Sequence, residues 1–156
     1  MSKSLNRVRA ALQAAGLAVE IRETDDRART AQGAADAVGC AVDQIAKSII
    51  FRGENSGHVV LFLTAGGNRV DPVKATTLAG QPLGKADAAL IRAETGFAIG
   101  GVAPLGHLRP IEAWIDPRLT EFPVVWAAAG TPRHVFAIAP ADLIRVTGAR
   151  MADFCT

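Results

Sequence analysis

Two apolar segments separated by a glycine-containing turn constrain the fold of this chain most strongly. Residues 45–51 and 58–63 are rich in β-branched and other apolar side chains, which favour β-strands. Between them stands Arg-Gly-Glu-Asn-Ser-Gly, a polar sequence with the composition of a turn. The pattern therefore predicts an antiparallel β-hairpin.

Helix and strand signals alternate irregularly on both sides of this hairpin. Amphipathic spacing, polar or proline starts and glycine stops predict helices at residues 5–15, 31–38, 72–78, 86–94 and from 140 onward. Strand composition predicts further strands at residues 17–22, 112–115, 122–127 and 134–138. This order favours an α+β fold with a mixed or mostly antiparallel curved sheet over a doubly wound parallel sheet.

Length and composition limit the class of protein. The chain has 156 residues, of which 49% are hydrophobic and 21% charged, so we expect one globular domain over residues 1–156. The net charge of +2 is too small for wrapping duplex DNA by bulk electrostatics. The apolar runs are far shorter than the roughly 18 residues of a membrane span. No secretory signal is recognisable in the basic N-terminus, so we expect a cytoplasmic protein without a membrane partner.

Standard catalytic and metal-binding patterns are missing from the sequence. Its two cysteines, Cys40 and Cys155, are far apart and belong to no Cys/His cluster, so we expect no metal. Phosphate-binding loops, zinc-protease patterns and the serine nucleophile elbow are also absent. Two unusual features remain, a lysine within the apolar strand at 45–51 and the glycine-rich segment at 99–107.

The strand lysine is Lys47. Alternation along a strand places it on the same face as Ile45 and Ile49. Either the side chain lies on the solvent face or at a strand end, or its ammonium group faces a pocket, where it would polarise a carbonyl group or hold a phosphate.

The glycine-rich segment reads Ile-Gly-Gly-Val-Ala-Pro-Leu-Gly-His. Glycines allow a ligand to approach the backbone closely, and Pro104 stiffens the loop. The segment is either an ordinary tight turn or a loop that presents consecutive backbone N–H groups to a ligand.

Together these features resemble the YbaK/prolyl-tRNA synthetase insertion-domain family, whose members hydrolyse wrongly charged aminoacyl-tRNA. The resemblance spans nearly the whole chain. It is carried by four segments: residues 44–51 with the strand lysine, 71–74, 95–107 and 139–143.

The resemblance implies a central mixed, curved sheet flanked by helices, with a cleft for the aminoacyl group and the terminal adenosine of tRNA. It implies that Lys47 engages the 3′ end and that the loop at 100–104 donates N–H groups to the ester carbonyl. No cofactor or metal is implied, and in several relatives a ribose hydroxyl of the substrate assists the attack. The catalytic positions implied are Lys47, Gly100 and Gly101, and the substrate-binding positions are Thr30, Val102, Pro104, Gly106, His107, Ala129 and Gly130.

Several of these positions have alternative interpretations. Thr30 suits a helix N-cap as well as the border of an aminoacyl pocket. His107 is either a general base or a contact to the terminal adenosine. Ala129 and Gly130 stand where many relatives carry a small polar residue followed by two glycines, and this difference would reshape the pocket wall. Small apolar residues there favour a small aminoacyl side chain.

Two functions from different classes fit the sequence. The first is a trans-editing deacylase that hydrolyses the ester of a mischarged tRNA, with tRNA for proline carrying a small amino acid as the expected substrate. The second is a non-catalytic module that binds the tRNA acceptor end or an aminoacyl-tRNA synthetase. Candidate contacts to tRNA phosphates are the arginines Arg7, Arg9, Arg22, Arg27, Arg29, Arg133 and Arg145.

Overall fold

A computed structural model describes residues 2–156 of the chain. Its strands are β1 (Ile21–Glu23), β2 (Ile45–Gly53), β3 (Val59–Ala65), β4 (Leu83–Lys85), β5 (Glu112–Ile115), β6 (Val125–Ala128), β7 (His134–Ile138) and β8 (Arg150–Met151). Its α-helices are α1 (Lys3–Ala14), α2 (Ala31–Val38), α3 (Pro72–Ala79), α4 (Ala88–Thr95) and α5 (Pro140–Thr147).

The strands form one mixed sheet in the order β1-β7-β6-β2-β3-β5-β8, and β4 pairs with β2 off this path. The predicted hairpin is its centre, because β2 and β3 pair antiparallel from Ala46–Ala65 to Arg52–Val59. All of β3 is buried, as expected for a strand that is covered on both faces. The structure confirms the predicted α+β class with a mixed sheet and flanking helices.

Helices cover both faces of the sheet. The larger core packs α1, α4 and α5 against one face around Phe97 and Phe136. On the other face, α2 packs against Ile45 and Trp126, and α3 packs against Phe62, which stacks on Trp114 at 4.9 Å between ring centroids. The candidate site lies where these layers meet at the edge of β2.

Local signals set several element ends correctly, and other ends differ from the prediction. Thr30 caps α2 and Asp71 caps α3, as the sequence indicates. The strand predicted at 17–22 is shorter than expected and covers Ile21–Glu23; Leu17 still belongs to the end of α1, since its N–H is bonded to the Leu12 carbonyl. The helix predicted from residue 86 begins at Ala88, since Asp87 is its N-cap.

One edge of β2 is shared by two short partners. β6 pairs with it in parallel only at Ile45 and Ala46, and β4 pairs with it only from Phe51 to Gly53. Within residues 2–156, no strand pairs with residues 47–50 along that edge. The sheet is therefore split beside Lys47.

No α-helix in residues 2–156 has both the length and the apolar character needed to cross a bilayer; the longest, α1, has 12 residues.

Candidate active site

A cavity of about 280 Å³ lies at the split between β2 and β6. Residues 45–49 form one wall, residues 126–128 a second, and the start of α2 a third. Its lining is largely apolar, with small side chains from Ala31, Ala34 and Ala128. A cavity of this size is slightly below the range of about 300–1,000 Å³ typical of ligand sites, which suits a small aminoacyl group.

Lys47 supplies an ammonium group to the cavity wall. Its neighbours on the same strand face, Ile45 and Ile49, pack into separate apolar clusters, so the lysine lies between them. Its Nζ donates one hydrogen bond, to the Gly66 carbonyl oxygen at 3.2 Å. Burial lowers the pKa of Lys47 below its ordinary value. An ammonium group has three donors, so two remain for a ligand.

The loop that carries the Gly66 carbonyl is held by two carboxylates. Asp43 Oδ1 accepts from the Gly67 N–H at 2.8 Å. Asp116 Oδ2 accepts from the Ala65 N–H at 3.1 Å and from Asn68 Nδ2 at 2.9 Å. These hydrogen bonds keep the pKa of Asp116 below its ordinary value despite burial. The acceptor of the Lys47 hydrogen bond is thereby fixed in place.

Gly100 and Val102 also line the cavity. Neither backbone N–H has a hydrogen-bond partner within residues 2–156, and Val102 is buried. The Val102 carbonyl accepts from Ser48 Oγ at 2.9 Å, which ties this loop to β2. Free N–H groups of residues that line a cavity are candidate donors to a developing oxyanion.

Gly101 has a different place from its neighbours. Its N–H donates to the Ala98 carbonyl at 3.1 Å, so this group is already bonded within the turn. A Cβ at this position would lie 2.7–3.0 Å from backbone atoms of Thr131. Gly101 therefore allows close contact between two loops, and it lies outside the cavity lining.

Thr30 lies at the cavity and also caps α2, since its Oγ1 accepts from the Gly33 N–H at 3.0 Å. Both interpretations of this residue therefore fit its position. Arg29, next to it, is exposed and also lines the cavity.

The remaining predicted site residues lie outside the cavity. Ala129, directly after β6, is fully buried, and Gly130 lines a separate depression near the start of α1. Pro104, Gly106 and His107 line another depression beside α5.

His107 is bonded within its own loop. Its Nε2 donates to the Ala103 carbonyl at 2.7 Å, and its ring packs edge-on against Phe97. Burial lowers the pKa of His107. The structure thus gives this imidazole a packing role away from the cavity.

Sequence reasoning did not single out most of the lining, including Ser48, Ile45 and Trp126. Trp126 is one of only two tryptophans, and its ring is covered by the Arg22 guanidinium at 4.8 Å. Its place in an apolar strand gave no sign that it faces a cavity. Ser48, as the neighbour of Lys47 next to an open sheet edge, would have been found only once the pairing of β6 was known.

Catalytic bases and metal ligands are scarce here. Among residues 2–156, the cavity lining contains no histidine, aspartate or glutamate. Within the same range, no group of three or more His, Cys, Asp or Glu side chains is placed to hold a metal ion.

Comparison with known proteins identifies the family. The family model described as an aminoacyl-tRNA editing domain matches residues 25–146. A curated relative, the uncharacterized protein YwhH of Bacillus subtilis (strain 168), is 30% identical over 124 residues, covering 80% of this chain and 78% of its own length.

Solved structures agree with this match. A protein proposed to be a trans-editing enzyme for prolyl tRNA synthetase is 46% identical, with a TM-score of 0.92 over 100% of this chain and 99% of its own. A chain from work on epitope grafting onto scaffold proteins is 45% identical, with a TM-score of 0.93 and the same coverage. The chain therefore belongs to the aminoacyl-tRNA editing domain family, of the YbaK type that its sequence pattern resembles.

Proposed function

We propose that this protein is a trans-editing deacylase that hydrolyses the ester of a mischarged tRNA. The observation that carries the proposal is the cavity at the split in the sheet, which is lined by Lys47 together with Gly100 and Val102, two residues whose N–H groups have no partner within residues 2–156. A cation and backbone donors around a small apolar cavity suit an aminoacyl ester, whose carbonyl oxygen becomes negative during hydrolysis.

In the proposed reaction, water adds to the ester carbonyl carbon and the carbonyl oxygen becomes an oxyanion. Gly100 and Val102 donate N–H groups to this oxygen, and Lys47 orients the 3′ end and adds positive charge. The carbon–oxygen bond to the ribose then breaks, and the ribose oxygen takes up a proton. The products are the free amino acid and intact tRNA.

The proton of the attacking water needs an acceptor other than a protein carboxylate or imidazole. The lining contributed by residues 2–156 contains none. We therefore assign a proton relay to the substrate, in which the ribose hydroxyl next to the ester accepts the proton of the water and passes its own proton to the ribose oxygen that leaves. The proposed mechanism uses neither a metal nor a cofactor.

The size of the cavity favours a small amino acid, and the neighbour proposed to edit for prolyl tRNA synthetase makes tRNA for proline the first substrate to test. When two amino acids differ by one methylene, an apolar pocket discriminates between them by a free energy of only about 1–3 kcal/mol. A panel of esters is therefore needed. Such a substrate implies a cytoplasmic protein that acts on free aminoacyl-tRNA, with a synthetase as an optional partner.

The test measures deacylation of tRNA for proline charged with alanine, cysteine, serine, threonine or 2-aminobutyrate. We expect rapid loss of at least one ester and a fall of about 10²-fold or more in Lys47→Ala, the scale expected when a key electrostatic group is removed. Lys85→Ala is the matched control, because it removes an exposed lysine from the same sheet outside the cavity.

If no ester on this tRNA is cleaved faster than it hydrolyses spontaneously, the same panel on other tRNAs follows. If no ester on those tRNAs is cleaved either, and the protein binds the tRNA acceptor end tightly, the binding-module function replaces the deacylase. Equal rates for Lys47→Ala and Lys85→Ala would remove Lys47 from the mechanism.

A further inference from the structure

The depression near the start of α1, which Gly130 lines, has a volume of about 490 Å³. It is bordered by the start of α1, by Arg92 of α4, and by residues 130–132. Three of its lining residues are cationic, Lys3, Arg7 and Arg92. No aspartate or glutamate contributes to the lining described for residues 2–156.

The positive charge of this depression is not neutralised by carboxylates. Lys3 and Arg92 are exposed, and within residues 2–156 neither forms an ion pair. Most other arginines in the same range pair with an aspartate or glutamate: Arg22, Arg27, Arg52, Arg109, Arg118, Arg133, Arg145 and Arg150. Clustered cations without counter-charges favour an anionic ligand.

Arg7 is held rigidly at the floor of the depression. Its Nε donates to the Gly106 carbonyl at 2.8 Å and its Nη2 to the Gly96 carbonyl at 2.7 Å. The guanidinium also lies over the Phe97 ring, 4.6 Å from the centroid. Because both acceptors are neutral, Arg7 keeps its full positive charge in a fixed position.

The depression and the cavity are close neighbours. Ala98 lines the depression and Gly100 lines the cavity. The chain from Ala98 to Gly100 spans at most about 7 Å. Successive phosphates along one strand of a nucleic acid helix are separated by a rise of about 3.4 Å. A strand whose last nucleotide carries an ester in the cavity therefore has a backbone phosphate within reach of the depression.

We propose that Lys3, Arg7 and Arg92 bind a backbone phosphate near the 3′ end of the tRNA whose aminoacyl ester enters the cavity. The inference rests on the proposed function, because it takes the cavity as the ester site. Lys3 supplies a compact charge and Arg92 a planar fork of donors, the two kinds of group that bind phosphate oxygens in proteins.

The test compares the double variant Lys3→Gln/Arg92→Gln with Arg52→Gln/Arg150→Gln. Both remove two positive charges, but Arg52 and Arg150 are paired with Glu54 and Glu112 away from the depression. Binding of uncharged tRNA for proline is measured by fluorescence anisotropy at several salt concentrations. Thermal melting checks that each variant folds.

We expect the first variant to weaken tRNA binding by about tenfold. The slope of log K against log salt should fall by about 0.7 for each charge that contacts the single-stranded end. In deacylation, KM for aminoacyl-tRNA should rise while kcat stays unchanged. Hydrolysis of an aminoacyl-adenosine, which has no phosphate, should not change.

Equal binding and equal salt slopes for the two double variants would overturn the phosphate site. The binding measurement does not depend on turnover. If the wild type cleaves no ester but Lys3→Gln/Arg92→Gln still binds tRNA more weakly than its control, the deacylase proposal fails and the phosphate site is supported.

Discussion

The two ends of the segment from 98 to 107 differ in how their polar groups are satisfied. At one end, the N–H groups of Gly100 and Val102 are without partners in residues 2–156 and lie at the cavity. At the other, the Gly106 carbonyl accepts from Arg7, and His107 is bonded to the Ala103 carbonyl. Unsatisfied donors mark the part available to a ligand, whereas saturated groups mark the part that supports it.

The same contrast separates the two titratable side chains that the sequence analysis weighed for chemistry. Lys47 and His107 both have a pKa lowered by burial, so the direction of the shift does not distinguish them. Their surroundings do, since the lysine lies at a cavity with donors to spare and the imidazole is packed on Phe97. Perturbed titration indicates a site only together with access and geometry.

Among the substitutions that test this comparison, we expect Gly101→Ala to have the largest effect. Its Cβ would lie 2.7–3.0 Å from Thr131 backbone atoms, which cannot rotate away. We expect a loss of about 1–3 kcal/mol of unfolding free energy from overpacking. Displacement of Gly100 and Val102 should lower kcat/KM by about 10²-fold.

Gly100→Ala is the matched control for this substitution. Its Cβ would meet no atom within 4 Å, so the only penalty is its φ of +90°. We expect about 1–2 kcal/mol of backbone strain. Urea unfolding and deacylation on both variants are the measurements. A smaller loss of unfolding free energy in Gly101→Ala than in Gly100→Ala would contradict the assignment of Gly101 to a close contact with Thr131.

A smaller effect, on stability alone, is expected from His107→Leu. The substitution leaves the carbonyl of the fully buried Ala103 without its donor. An unpaired buried polar group costs about 1–3 kcal/mol, measured here by urea unfolding. The cavity is untouched, so kcat/KM at a temperature well below the melting point should stay within about threefold. A collapse of activity in a folded variant would instead support a role of His107 as a general base or as a contact to the terminal adenosine.

Sequence patterns predicted the parts of this fold that are set by near neighbours. The hairpin, the caps Thr30 and Asp71, and the strand Glu112–Ile115 follow from turn composition, capping chemistry and apolar runs. The short strands β4 and β8 were not predicted, because residues 83–85 and 150–151 are too few to show a pattern. Their pairing depends on strands distant in sequence.

The candidate site was predictable only in part for the same reason. Lys47 stood out as a charge in an apolar strand, and Gly100 and Val102 as members of a glycine-rich loop. Gly101 differs from Gly100 because its backbone lies close to Thr131. His107 lies away from the cavity and is hydrogen-bonded within its own loop. The cavity itself arises because β6 pairs with only two residues of β2, a tertiary feature without a local signal.

The smallest effect concerns the pH dependence of stability. Because burial lowers the pKa of His107 below its ordinary value of about 6.5, the unfolded chain binds a proton more readily than the folded chain does. The stability due to neutral His107 is therefore fully present above pH about 6.5 and is lost as the pH falls from there towards the folded-state pKa.

His107→Gln tests this dependence, because its amide can still donate to the Ala103 carbonyl but does not titrate. Urea unfolding at several values between pH 7.5 and 5.5 should show a free energy of unfolding that falls more steeply for the wild type than for the variant. The difference between the two curves isolates His107 from His58 and His134, which both proteins retain. Parallel curves would mean that the imidazole is as accessible to protons in the folded chain as in the unfolded one. The packed end of the segment would then differ less from the cavity end than its hydrogen bonds indicate.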